Sequence, residues 1–322
     1  MRVHRCVMQM ARADETKTGG QLAVLIAGPT ASGKSQLALR LADQLANALI
    51  VNCDSMQVYA DLAVVTARPT KADRDRADHA LYGHRDGALP YSVAEWREEV
   101  RVVLADHSGR PMIFVGGTGL YFRMLLEGLS PVPSVPDAIR DQVRQRMDQE
   151  GSPTLHGDLD QRMADRLSPT DSQRVARALE VLEATGQSLA HWQDLPPDGG
   201  MLDAYDVQRM VMQASRPWIE ERIRRRCDQM LGETGLAEVE ALRARRLSDD
   251  LPVMRAIGVS ALGSYLDDVL SREETLEALA IQTRRYAKRQ ETWFRGQMAD
   301  WPRFDPAEGD VNDALLRILE RR

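Results

Sequence analysis

The sequence predicts an α/β protein: a parallel sheet with helices on both faces, into which a helical segment is inserted. Three observations carry that expectation. Short apolar runs alternate with helical patterns over roughly the first 130 residues, the order that builds parallel strands joined by crossover helices. A glycine-rich loop separates the first apolar run from the first helical pattern. Past residue 129 the texture changes to a proline-punctuated linker and then to charged, helical sequence.

The elements follow in order. LAVLIAG (22–28) is a continuous apolar run, followed by a glycine loop and the helical SQLALRLADQLA. ALIVNCDS (48–55) and PMIFVGGTG (111–119) read as a second and third buried strand, ending in polar residues and in glycines. In such sheets chemistry gathers at the carboxyl ends of the strands. Those ends carry the glycine loop, Cys53-Asp54-Ser55 and Gly116-Gly117-Thr118-Gly119. SPVPSVPD opens the insertion, expected over 129–200, in which ALEVLEATGQSL stops at Gly186. PPDGG (196–200) is a loop, and AYDVQRMVMQAS (204–215) reads as a strand returning to the sheet, with apolar residues alternating from Val207 to Val211. The core is thus expected over 21–128 and 201–305, after a flexible tail over 1–20, and ALLRILERR closes the chain in a short amphipathic helix within 306–322.

The 322 residues, 43% of them hydrophobic, suffice for one large domain or for a core plus a smaller one. A formal net charge of −6 excludes a surface coated in positive charge, but not nucleic acid, whose binding depends on where Lys and Arg cluster. Cys6, Cys53 and Cys227 are odd in number, far apart and without zinc spacing, which suggests a reduced, cytoplasmic protein with no structural zinc. No run approaches the ~18 apolar residues of a membrane span. The first twenty residues lack the apolar stretch of a secretory signal, and Asp14 and Glu15 argue against a transit peptide.

Gly28-Pro29-Thr30-Ala31-Ser32-Gly33-Lys34-Ser35 fits G-x-x-x-x-G-K-[ST] between a strand and a helix, the context this phosphate loop requires. The glycines let successive N–H groups curl around one anion, and the helix N-terminus adds its dipole. Lys34 adds a point charge, and the Ser35 hydroxyl can ligate Mg²⁺. The core is therefore expected to be P-loop NTPase-like. Loops of this kind mostly bind ATP or another nucleotide, but the pattern itself licenses only a polyphosphate. Asp54, at the end of the second strand, is open to three readings: a cap for the next helix, a magnesium-shell ligand, or a general base.

GPTASGKS, DSMQVY, Tyr91-Ser92-Val93-Ala94-Glu95, VGGTGLYFRMLLEGL, QRVARALEVLEATG, MRAIG and TRRYAKRQETWFR occur in this order. Together, from about 22 to 302, they resemble the tRNA dimethylallyltransferase (tRNA isopentenyltransferase) family in its bacterial form, without the C-terminal zinc finger common in eukaryotic members. The resemblance implies that the loop holds the diphosphate of dimethylallyl diphosphate as a leaving group, with Mg²⁺ near Ser35. It implies transfer of the prenyl group to N6 of the adenosine 3′-adjacent to the anticodon, flipped into the enzyme. It makes Asp54 the base and puts Thr118 at the reacting centre with Lys34. It also assigns tRNA contacts to Ser55, Met56, Gln57, Arg140, Gln173, Arg174, Val175, Ala176, Arg177, Arg255, Lys288, Arg289, Trp293 and Arg295, besides Asp54 and Thr118.

On a helix, Arg284 and Lys288, and Arg285 and Arg289, form neighbouring basic stripes, interleaved with Tyr286, Trp293 and Phe294. From pattern alone this is a solvated face with an aromatic edge; the resemblance turns it toward RNA. The run Arg224-Arg225-Arg226 reads as an exposed face outside the site. Three stretches depart from the family pattern: ADLAVVTARP replaces a DIGTAKP-like segment, with Arg68 for lysine; Val259 and Ser260 follow AIG; and LYGHRDGALPYS is trimmed. The alternatives are a free-nucleotide prenyltransferase, which needs neither insertion nor basic helix, a small-molecule kinase, and a non-catalytic RNA-binding relic. A monomer is the default.

Overall fold

The computed structural model describes residues 20–310 and Ala314. The tail expected over 1–20 lies outside these residues except for Gly20. Of the helix expected over 306–322, residues 306–310 form a turn and the rest, Ala314 apart, lies outside them.

Six strands, β1 (Gln21–Ala27), β2 (Leu49–Asn52), β3 (Asp78–Ala80), β4 (Met112–Gly116), β5 (Tyr205–Met212) and β6 (Arg303–Phe304), form one sheet in the order β3-β2-β4-β1-β5-β6. Every pairing is parallel. β1 lies between β4 and β5, with Ile26 opposite both Val115 and Met210. A central parallel strand is covered on both faces, and Leu22 to Ala27 are all buried. Val24 and Ile26 point to one side with Ile50, Ile113 and Val115, against Leu37, Ala38 and Leu41 of the helix that follows the glycine loop.

The described chain divides into two compact units, one running to Phe122 and resuming at Leu202, the other Arg123–Met201. The first unit carries helices α1 (Lys34–Gln44), α2 (Lys71–Arg76) and α3 (Val93–Asp106), and α4 (Gly119–Glu127) leads out of it. The second carries α5 (Asp137–Glu150), α6 (Ser152–His156), α7 (Gln161–Ala164), α8 (Ser172–Thr185) and α9 (Leu189–Asp194) around its own core of Val143, Leu155, Val175, Leu179 and Val181. The first unit resumes with β5, α10 (Arg216–Met230), α11 (Glu233–Ala244), α12 (Val259–Leu266) and α13 (Arg272–Gln297). Local chemistry sets the helix ends: Ser92 with Glu95, and Ser271 with Glu274, close capping boxes on α3 and α13. Gly186 ends α8 at a φ of 68°, as its place in the sequence suggested.

The sheet differs from expectation in two respects. β3 and β6 are only three and two residues long, too short for a periodic signal. β5 does not alternate: Met210, Val211 and Met212 are buried in succession while the first four residues are half-buried. β6 pairs only with Val211 and Met212, so just that end of β5 is enclosed on both sides.

At the carboxyl end the strands are drawn together by backbone bonds. Gly28 N–H donates to Gly116 O (3.3 Å), Cys53 N–H to Val115 O (2.9 Å), and Thr118 N–H to Cys53 O (3.0 Å). A Cβ at Gly116 would lie 2.0 Å from the Cys53 carbonyl oxygen. Gly116→Ala should therefore destabilise the protein by about 2 kcal/mol or more in urea unfolding. Gly296→Ala, in the last turn of α13 with no heavy atom within 4 Å of the added carbon, should stabilise it by up to about 0.5 kcal/mol.

Candidate active site

The phosphate loop leaves β1 at Ala27 and enters α1 at Lys34. Ala31 (φ 66°) and Gly33 (φ 90°) are left-handed, the backbone arrangement that turns N–H groups inward as an anion nest. The amides of Gly33, Lys34 and Ser35, at the head of α1, donate to no acceptor among the described residues. Two other loop amides bond within the protein. Ser32 N–H donates to Pro29 O (3.3 Å), and Thr30 N–H to Oε1 of buried Gln290 on α13 (2.8 Å). Lys34 Nζ donates to Pro29 O (3.2 Å), which folds the ammonium back over the loop.

Asp54 is oriented by Asn52, a fully buried amide at the end of β2. Asn52 Oδ1 accepts from Asp54 N–H (2.8 Å), while its Nδ2 donates to Asp54 O and Leu81 O, both at 2.9 Å. Asp54 Oδ1 accepts from Met56 N–H (3.0 Å), so the carboxylate caps a turn rather than a helix. The Thr118 hydroxyl accepts from Ser55 N–H (3.0 Å) and donates to Ser55 Oγ (3.3 Å). Thr118 thus ties the β4 loop to the β2 loop. It does not line the cavity in which Asp54 lies.

That cavity, of about 540 Å³, is lined by Lys34, Ser35, Asp54, Arg226, Tyr286 and Arg289 among others, with Ala31, Met56, Val65 and Ile257 giving apolar wall. Burial pushes the Lys34 ammonium down to about 8, helped by Arg226 and opposed by the Asp54 carboxylate. Ser55, Gln57 and Arg255 also line it, but Gln57 Nε2 donates to Thr66 O and Ala67 O, both at 2.9 Å, and so serves the neighbouring loop.

Three residues that act here were not singled out from sequence. Arg226, read as part of an exposed basic run, turns inward: it donates to Thr30 Oγ1 and to Val65 O (3.0 Å). Its position between Ile223 and Cys227, on the buried flank of α10, is the signal that separates it from Arg224 and Arg225. Gln290 falls on the buried face of α13 with Thr283, Ala287 and Phe294, where a polar side chain requires partners. Asn52 is the polar end of an otherwise apolar strand.

Arg284, Arg285, Lys288, Arg289 and Arg295 lie on the exposed face of α13, as the stripes predict. Phe294 does not join them; it is 1% exposed, in the core. The Trp293 ring covers Gly119, where an added Cβ would lie 2.1 Å from it. In the second unit Gln173 and Arg174 are exposed and Arg140 is half-buried, and Arg140, Arg174 and Arg177 pair locally with Asp137, Asp171 and Glu180. Ala176 is half-buried, and the Val175 side chain is fully buried in that unit's core, so a contact to RNA through that side chain is ruled out.

The departures from the family pattern are absorbed locally. Val259 packs in the core, and the Arg68 guanidinium lies against Gly83 and donates to Ala60 O (3.2 Å).

A parallel sheet with a phosphate loop after its central strand, and a carboxylate on the next strand end facing the same cavity, defines a P-loop-type α/β protein. Residues 57–297 match the sequence profile of the IPP transferases, and residues 21–82 that of the isopentenyl transferases. The chain is 48% identical over 292 residues to the tRNA dimethylallyltransferase of Allorhizobium ampelinum, spanning 88% of this chain and 95% of that protein. It is 48% identical over 290 residues to that of Azorhizobium caulinodans, spanning 88% and 92%. The chain belongs to the tRNA dimethylallyltransferase family. Among solved structures it resembles the tRNA isopentenylpyrophosphate transferase of Bacillus halodurans (30% identity, TM-score 0.64, 92% and 94% of the two chains). It also resembles a eukaryotic dimethylallyltransferase acting on tRNA (25% identity, TM-score 0.73, 88% and 74%).

The lowered Lys34 predicts a pH effect. Below about 8 the ammonium is charged and ready for an anion; above, it is neutral. Calorimetric affinity for inorganic pyrophosphate should therefore fall as pH rises past about 8, more steeply than in Lys34→Met.

Proposed function

We propose that this protein transfers the dimethylallyl group of dimethylallyl diphosphate to N6 of the adenosine 3′-adjacent to the anticodon in tRNA, releasing diphosphate. The observation that carries the reading is the meeting of Lys34, Arg226 and Asp54 on one cavity at the carboxyl end of the sheet. The two cations and the free amides of Gly33, Lys34 and Ser35 suit the departing diphosphate, and the carboxylate suits the incoming amine.

The bond from C1 of the prenyl group to the diphosphate oxygen breaks, and its electron pair leaves with the diphosphate. The N6 lone pair forms the new bond to C1, and Asp54 accepts the N6 proton. Free exocyclic amines of purines are poor nucleophiles because the lone pair is delocalised, so removal of that proton assists bond formation. The Ser35 hydroxyl is a hard oxygen donor of the kind Mg²⁺ takes beside substrate phosphates. Bound there, the ion would neutralise part of the leaving charge. Thr118 holds Ser55 in register with the reacting centre.

The exposed basic face of α13, with Arg255, suits an anticodon stem–loop better than a free nucleotide. Arg140, Gln173, Arg174 and Arg177 supply polar groups of the same kind in the second unit. We infer a cytoplasmic monomer; among the described residues no helix is long and apolar enough to cross a membrane.

Mass spectrometry of tRNA nucleosides from cells with and without the protein tests the reading: N6-dimethylallyladenosine should disappear on deletion, and its persistence would refute it. With purified protein, label should pass to tRNA from dimethylallyl diphosphate and not from ATP. Asp54→Ala should slow turnover by roughly two to four orders of magnitude while tRNA affinity survives. Replacing Arg174 or Lys288 by Ala should each flatten the plot of log affinity against log salt by about one unit.

A further inference from the structure

A buried carboxamide, Gln290, bonds the phosphate loop to the β4 loop, and the β4 loop in turn lies against the Asp54 carboxylate. Gln290 is 6% exposed. Its Oε1 accepts from Thr30 N–H of the phosphate loop at 2.8 Å, and its Nε2 donates to Gly117 O of the β4 loop at 2.9 Å. Gly117 is also where the β4 loop meets Asp54: a Cβ there would lie 2.0 Å from Gln290 Nε2 and 3.5 Å from Asp54 Oδ2. Thr30 in turn carries Arg226 on its hydroxyl. One side chain of α13 thus reaches the diphosphate cradle on one side and the surroundings of the base on the other.

We propose that Gln290 is a positioning residue for prenyl transfer, clamping the phosphate loop to the Gly117 loop so that the leaving diphosphate and the Asp54 carboxylate keep their separation. The proposal rests on the assignment of the phosphate loop to diphosphate. The clamp needs a donor and an acceptor on one short, planar group, which among uncharged side chains of this length only glutamine supplies. It also accounts for Gly117 and Gly119. Neither lies in the left-handed region, and both are places where α13 side chains, Gln290 and Trp293, approach closer than a Cβ allows. The same helix turns Arg289 outward next to Gln290, so the basic face and both loops share one rigid support.

A side chain that merely filled space would be replaced without loss by one of similar size. Gln290→Met keeps the length and removes both hydrogen bonds, leaving Thr30 N–H and Gly117 C=O without partners. It should lower kcat by on the order of 10- to 100-fold, the scale of a misplaced reacting group, with affinity for the anticodon stem–loop unchanged. Gln290→Glu separates positioning from packing. A neutral carboxylic acid can accept from Thr30 and donate to Gly117; an ionised one cannot donate, and sits near Asp54. The kcat of Gln290→Glu relative to the unmodified enzyme should therefore rise several-fold between pH 8 and pH 6, while the corresponding ratio for Gln290→Met stays flat. A Gln290→Met enzyme within twofold of normal kcat, or parallel pH ratios for the two variants, would overturn the clamp. Pyrophosphate binding measured in parallel distinguishes the deeper failure: if Lys34→Met binds pyrophosphate as well as the unmodified enzyme, the diphosphate assignment falls, and the clamp with it.

Discussion

In the proposed reaction a proton acceptor and a departing polyanion have to occupy one pocket without expelling each other. Two like charges about 4 Å apart near a protein surface repel by roughly 4 kcal/mol, several times the net worth of a hydrogen bond. No arrangement of neutral donors offsets that comfortably. Lys34 and Arg226 supply the opposing charge from two directions, one from the loop itself and one from α10. Burial lowers the Lys34 ammonium and Arg226 lowers it further, while the Asp54 carboxylate opposes both. The carboxylate and the ammonium are therefore parts of one electrostatic arrangement, and the rest of the fold serves to hold them in it.

That holding is done by side chains that touch no substrate. Asn52 uses both ends of its amide to fix the turn that presents Asp54, and Trp96 Nε1 donates to the Asn52 carbonyl (2.9 Å). Thr118 binds Ser55 across the gap between β2 and β4, and Arg226 fastens Thr30 to the 60–68 loop at Val65. Each is a buried or half-buried polar group bonded to a neighbouring loop, and such networks resist displacement because an orphaned partner in low dielectric is expensive.

What was legible in the sequence follows from this division. Strands β1, β2 and β4, the phosphate loop and Asp54 announce themselves by apolar runs and by a motif whose residues are adjacent in the chain. The basic stripes of α13 are visible for the same reason, since helical spacing is a local property. Arg226, Gln290 and Asn52 were not visible, because their meaning lies in partners 196, 260 and 29 residues away. β3 and β6 escaped because strands of three and two residues carry no period. Val175 shows the opposite error: a motif carried it into the site as a block, whereas a helix divides such a block between solvent and core, and Val175 fell on the inner side.

The 60–68 segment shows how a loop can leave its family pattern and still shape a cavity. Its backbone donors and acceptors are satisfied from outside. Glu238 on α11 accepts from Val64 N–H (2.8 Å) and Val65 N–H (3.1 Å). Gln57 donates to the carbonyls of Thr66 and Ala67, and Arg226 to that of Val65. Asp61 accepts from Gly87 N–H (2.9 Å) and pairs with Arg245, which also holds Asp86. The path of this loop is thus held by side chains on α10, α11 and the β2 turn together with its own Asp61, and it needs no glycine of its own. It meets the cavity at Val65, Thr66 and Ala67, while Leu62 is fully buried in the core behind it, so one short segment serves both as packing and as cavity wall.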